Sequence, residues 1–248
     1  MLPRQAARAG ALLGAALVCW IVAVQRMRGM DAGPGTDPGA FVWFIGLWVT
    51  MMAAMMLPAA APAALLYARL RAGAPTSVFV LGYLLAWTAY GVAAYALYRG
   101  LRDAAPSFAA WDERGPWLAG GALVAAGLYQ LTPLKTACLH HCRSPLHFLL
   151  GSRPGVRGAV RTGFVHGGYC VGCCTGLMVA LFALGIMSLF WMAVVAATIV
   201  VEKVLPGGEA FARVLAVVLV AGGIWVATAP RSVPGLVQPN APQMMMQP

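Results

Sequence analysis

AFVWFIGLWVTMMAAMMLPAAAPAALL, residues 40–66, runs for 27 residues without one charged side chain. A helix rises 1.5 Å per residue, so about 20 apolar residues cross a hydrocarbon core of roughly 30 Å. A run this long, apolar all the way round, suits a membrane or a fully buried position rather than the surface of a soluble domain. Six further apolar runs, 10–25, 78–98, 117–132, 163–184, 186–202 and 210–228, are separated by charged and Pro/Gly-rich breaks. Together they predict an all-α fold, a polytopic transmembrane helix bundle of about seven spans. The count is six if the short Gly- and Ala-rich run 117–132 does not cross. Residues 1–232 read as the transmembrane helical domain and 233–248 as a flexible tail rich in Pro, Gln and Met. The composition agrees: 61% of the 248 residues are hydrophobic and 10% charged, against about 45–50% and 25% in soluble domains. Arg4 and Arg8 precede the first run as they would in a signal sequence. The run ends in the charged stretch Gln25-Arg26-Met27-Arg28 rather than in a small-residue cleavage site, so it reads as a retained helix.

The charge is lopsided, with 17 Lys and Arg against 7 Asp and Glu. With seven spans, 11 of the 17 cations fall on the face that holds the loop 133–161; with six, 12 do. The positive-inside rule therefore puts that loop at the cytoplasmic face and the C-terminus on the opposite side. The basic excess reports orientation in the bilayer and gives no reason to expect a nucleic-acid partner. It does not specify an oligomeric state.

Cys19 stands alone in the first run and reads as a small apolar filler, as does His147. The other five cysteines form two clusters, Cys138-Leu139-His140-His141-Cys142-Arg143 and His166-Gly167-Gly168-Tyr169-Cys170-Val171-Gly172-Cys173-Cys174. Residues four apart share a helical face, which aligns Cys138 with Cys142, and His166 with Cys170 and Cys174. His141 can join the first pair. Thiolate and imidazole suit copper(I) first and zinc as the alternative. Lys135, Arg143 and a helix N-terminus expected at the second cluster should favour thiolate.

Methionine adds a second signal. Met51 stands over Met55 and Met52 over Met56, and Met178 continues the face of Cys174. Thioethers are soft, uncharged ligands that select Cu(I) over Zn(II), although such a stripe also serves as ordinary packing. Met244-Met245-Met246 in the tail reads as a metal-collecting segment. Pro58 and Pro62 should bend or break the second helix. Of the seven acidic residues only Glu202 lies within a run, beside Lys203, and the two read as an interfacial pair. No carboxylate stands in mid-membrane, as a proton-coupled transporter would need. Phosphate-loop, dinucleotide and GxSxG signatures are absent, so the motifs favour a binding role over an enzymatic one and leave the second open.

WVTMMAAMMLP (48–58), YQLTPLKTACLHHCRSP (129–145), GGYCVGCC (167–174) and Glu202-Lys203 resemble, in order and spacing, a bacterial family of predicted metal-binding integral membrane proteins. The resemblance spans about residues 40–204. It implies an inner-membrane, metal-binding protein with copper the expected metal. It lays emphasis on Met55, Met56, Pro58, Lys135, Cys138, Cys142, Arg143, Cys170, Cys173, Cys174, Met187, Met192 and Glu202. Thr175 and Ser188 stand where the family pattern leads one to expect Trp and Asn.

The expected function is copper(I) binding, handling or delivery, with Cys138, His141, Cys142, His166, Cys170, Cys173 and Cys174 as ligands. Met51, Met52, Met55, Met56 and Met178 would form a relay or second site, and a metal-donor or acceptor protein would be the partner. A membrane thiol-disulfide oxidoreductase is the alternative; another is a subunit or assembly factor of a membrane cuproenzyme.

Overall fold

A computed structural model describes residues 2–28, 39–71, 76–104 and 114–233. The methionine tail lies outside them. The described residues form nine α-helices: α1 (Leu2–Met27), α2 (Phe41–Leu70), α3 (Thr76–Ala104), α4 (Gly115–Gln130), α5 (Pro133–Arg143), α6 (Leu146–Leu150), α7 (Gly155–Leu184), α8 (Leu189–Val204) and α9 (Gly208–Thr228).

By length and composition, α1, α2, α3, α7 and α9 can each cross a membrane. The helices α4 and α8 have 16 residues each, about 24 Å of rise. Two elements differ from the expectation. First, α2 runs unbroken through Pro58 and Pro62, because neighbouring helices cover the stretch where two backbone bonds are lost. Second, α7 begins at Gly155 rather than near 163, since 155–162 continues the helix with Arg157 and Arg161 turned outward. The second cysteine cluster therefore sits in the middle of a 30-residue helix, far from the N-terminal dipole expected to act on it. Between α7 and α8 the chain reverses at Gly185, whose φ of 112° other residues rarely adopt.

Glycines set how closely the long helices approach. A β-carbon at Gly82 would strike the Val160 carbonyl, and one at Gly163 the Phe79 carbonyl. Small residues at such crossings bring backbones into direct packing. Gly82 lies against 160–164, Gly163 against Phe79 and Tyr83, and Gly167 against Tyr83 and Ala86, so α3 and α7 run parallel. Gly120 lies against Gly223 and Ala227, and Gly127 against Ala216 and Val220, so α4 and α9 run antiparallel. The largest buried cluster draws on α1, α2, α3, α5, α7 and α8. It holds the α2 methionines, Trp48, Trp87, the cysteines of α7 and Cys138.

Candidate metal centre

Cys170, Cys173 and Cys174 project from α7 into the core and are fully buried, their sulfurs all within 4.8 Å of one another. Cys173 Sγ donates to the Cys170 carbonyl at 3.2 Å and lies 3.7 Å from Cys174 Sγ. The fourth sulfur comes from another element: Cys142, near the end of α5 and partly exposed, places Sγ 3.6 Å from Cys173 Sγ. Two thiolates on one ion, with bonds of about 2.3 Å, must stand no more than about 4.6 Å apart. Cys142 and Cys173 meet that condition across an interface between helices, while the group in which every sulfur stands close to every other is Cys170, Cys173 and Cys174.

That meeting depends on how α5 is held. Thr132 caps it, accepting from the Lys135 amide at 3.2 Å, and Pro133 opens its first turn. Lys135 Nζ donates to Glu202 Oε2 at 2.7 Å, with both side chains 1% exposed. Arg143 donates to the Glu202 backbone carbonyl. The first and last turns of α5 are thus tied to the same residue of α8. Glu202 and Lys203 are not the interfacial pair expected: Glu202 turns to α5, while Lys203 Nζ donates to Cys170 Sγ at 2.7 Å. Tyr83 OH lies 2.9 Å from the same sulfur. Lys203 therefore takes the part at the thiols that Lys135 and Arg143 were expected to play. Sequence reading missed both Lys203 and Tyr83. A lysine at the end of an apolar run was a visible signal; Tyr83 gave none.

Cys138 is buried one turn before Cys142 and packs its sulfur against Gly172, where a β-carbon would come within 2.6 Å. Gly172 also presents its carbonyl to Tyr129 OH at 2.6 Å. Burial raises the Cys138 thiol pKa. The Cys142 thiol is held well above its usual range, chiefly by its hydrogen bond to Cys170. Both thiols hold their protons at neutral pH, so a metal must displace them and binding weakens as pH falls.

His141 and His166 lie outside the group of three sulfurs. His141 is exposed, stacked on Tyr169 with centroids 4.4 Å apart, and its Nδ1 lies 2.8 Å from the Ala137 carbonyl. His166 is buried one turn before Cys170, against the rings of Phe79 and Tyr83 at 5.8 and 5.9 Å. Among the described residues the convergent group is sulfur throughout. Replacing His141 with alanine should leave bound metal per chain unchanged within about 10%, as expected of a side chain stacked outside the ligand group; metal analysis of the purified variant would expose any ligand role by a clear loss. Met51, Met52, Met55, Met56 and Met178 are each no more than 1% exposed, in the same core cluster as the cysteines.

Residues 45–226 match the model of a protein family described as PpoB2, copper chaperone. No curated protein and no solved structure matches the chain.

Proposed function

The chain belongs to the PpoB2 copper chaperone family, and we propose from that premise that it is an integral membrane protein that binds Cu(I) and delivers it through the cysteine cluster between α5 and α7. The observation that carries this reading is the approach of Cys142 to Cys173 at 3.6 Å, beside Cys174 and Cys170. Soft thiolates without a carboxylate among them suit Cu(I) and Zn(II), and the family's description points to copper. Cys138, one turn away, is a reserve ligand. The buried methionines of α2, with Met178, supply an uncharged second station for the ion within the same core.

The membrane setting is the inner membrane, crossed seven times. Five helices have the length and apolarity for it. Helix direction supports the higher count: if α4 did not cross, α3 and α7 would be successive spans and would run in opposite senses, yet they are parallel. In this arrangement α4 and α8 are short spans inside a thicker bundle. The basic stretch 133–161, which includes α5 and the start of α7, marks the cytoplasmic side of the bundle, and the C-terminus lies outside. The partners are the bilayer and a protein that donates or accepts the metal.

The test is elemental analysis and X-ray absorption on full-length protein purified in detergent and loaded with Cu(I). The expected result is about one copper per chain, with a first coordination sphere of sulfur at about 2.2–2.3 Å. Protein that holds no copper or zinc after desalting, or holds it on nitrogen and oxygen alone, would end this reading. A thiol-disulfide exchange role fits less well. Attacking thiols sit in accessible places, and three of these four cysteines are fully buried.

A further inference from the structure

The cluster has a resident cation. Lys203 Nζ stands 2.7 Å from Cys170 Sγ, and an ammonium only donates hydrogen bonds, so the sulfur is the acceptor. Two other cations near the cluster are committed elsewhere, Lys135 to the Glu202 carboxylate and Arg143 to the Glu202 carbonyl. The Glu202 carboxylate makes its hydrogen bond to Lys135, and the convergent group that Lys203 meets is made of cysteines. Lys203 is half-buried, and the backbone that carries it is placed by Glu202, the preceding residue, which bonds to both ends of α5; the sulfur that its ammonium bonds also meets Tyr83 OH. Any ion entering the group meets a positive charge within a few ångströms.

We propose that Lys203 is the specificity-determining residue of the cluster, a fixed charge that admits a monovalent soft cation and disfavours a divalent one. Coulomb repulsion scales with the charge of the entering ion, so Zn(II) is repelled twice as strongly as Cu(I) from the same place. Thiolates by themselves bind both ions well; it is the neighbouring charge that separates them. Lys203 is a positioning and charge-setting residue, since an ammonium has no lone pair to give a metal. This inference rests on the copper reading and adds the means of discrimination.

The experiment uses full-length protein in detergent: wild type, Lys203→Met, Lys203→Gln and Lys203→Arg. Each is titrated with Cu(I) against a chromophoric Cu(I) chelator and with Zn(II) against a chromophoric zinc chelator, with helical content checked by circular dichroism. Both neutral variants should raise the ratio of Zn(II) to Cu(I) binding constants by about tenfold to a hundredfold. The arginine variant should keep the ratio within about threefold, because it keeps the charge. A merely structural role would weaken both ions alike; an unchanged ratio in either folded neutral variant overturns the inference, as does an arginine variant that behaves like the neutral ones. Wild-type protein that takes up neither ion overturns the copper reading itself, and the two failures are told apart by that control.

Discussion

Replacing Cys173 with serine is expected to lower Cu(I) affinity by about a hundredfold or more, the largest effect of any single change at the centre. Its sulfur is the one that joins the two helices, 3.6 Å from Cys142 on α5 and 3.7 Å from Cys174 on α7, in a group closed by Cys170. Structural metal sites built from four such ligands carry about 10–16 kcal/mol of binding free energy, so one thiolate accounts for a few kcal/mol, or a factor of about a hundred to a thousand. Serine keeps the size and the bond to the Cys170 carbonyl but offers a hard hydroxyl in place of a soft thiolate. Competition with a Cu(I) chelator measures the loss. Cys19→Ser, remote from the cluster, is the control. Equal affinities in the two variants would mean that copper binds somewhere other than between α5 and α7.

Glu202→Ala is expected to destabilise the fold by about 3–5 kcal/mol, because it leaves the Lys135 ammonium buried without its counter-charge. Both partners are 1% exposed, so water cannot replace the lost carboxylate. The double change Lys135→Met with Glu202→Leu should recover most of that loss, since a buried pair replaced by apolar groups of similar volume is often neutral. Thermal and denaturant unfolding in detergent, tracked by circular dichroism, would measure both. A single variant as stable as the double would show that the pair is not the clasp between α5 and α8. The clasp also bears on the metal: the Glu202 carboxylate holds the first turn of α5, the helix that carries Cys142, while the backbone carbonyl that Arg143 bonds survives in alanine. The single variant should therefore lose copper affinity as well as stability.

Much of the architecture was legible because long uncharged runs leave the backbone few ways to pair its polar groups. Backbone groups in hydrocarbon must be paired within their own segment, so uncharged runs such as 40–66 have little choice but helix. The start of α7 was misplaced because 155–162 carries two arginines. Polar residues on one outward face do not end a helix, yet they do end an apolar run. The cysteine clusters were likewise visible as composition and spacing. Spacing aligns His166 with Cys170 but says nothing of the rings of Phe79 and Tyr83 that pack against it.

The sequence by itself determined that the chain is helical and rich in apolar runs, and that soft ligands gather in the segments 138–142 and 170–174. These are local properties, set by the side chains of each stretch and by helical periodicity. Only the tertiary structure decided which sulfurs meet. Cys142 and Cys173 are 31 residues apart, and their approach depends on α5 folding back onto α7 under the hold of Glu202. It also decided that Lys203, 33 residues from Cys170, is the cation at the thiols. Such contacts arise where helix ends from distant parts of the chain are packed together, and no periodicity within one segment encodes them.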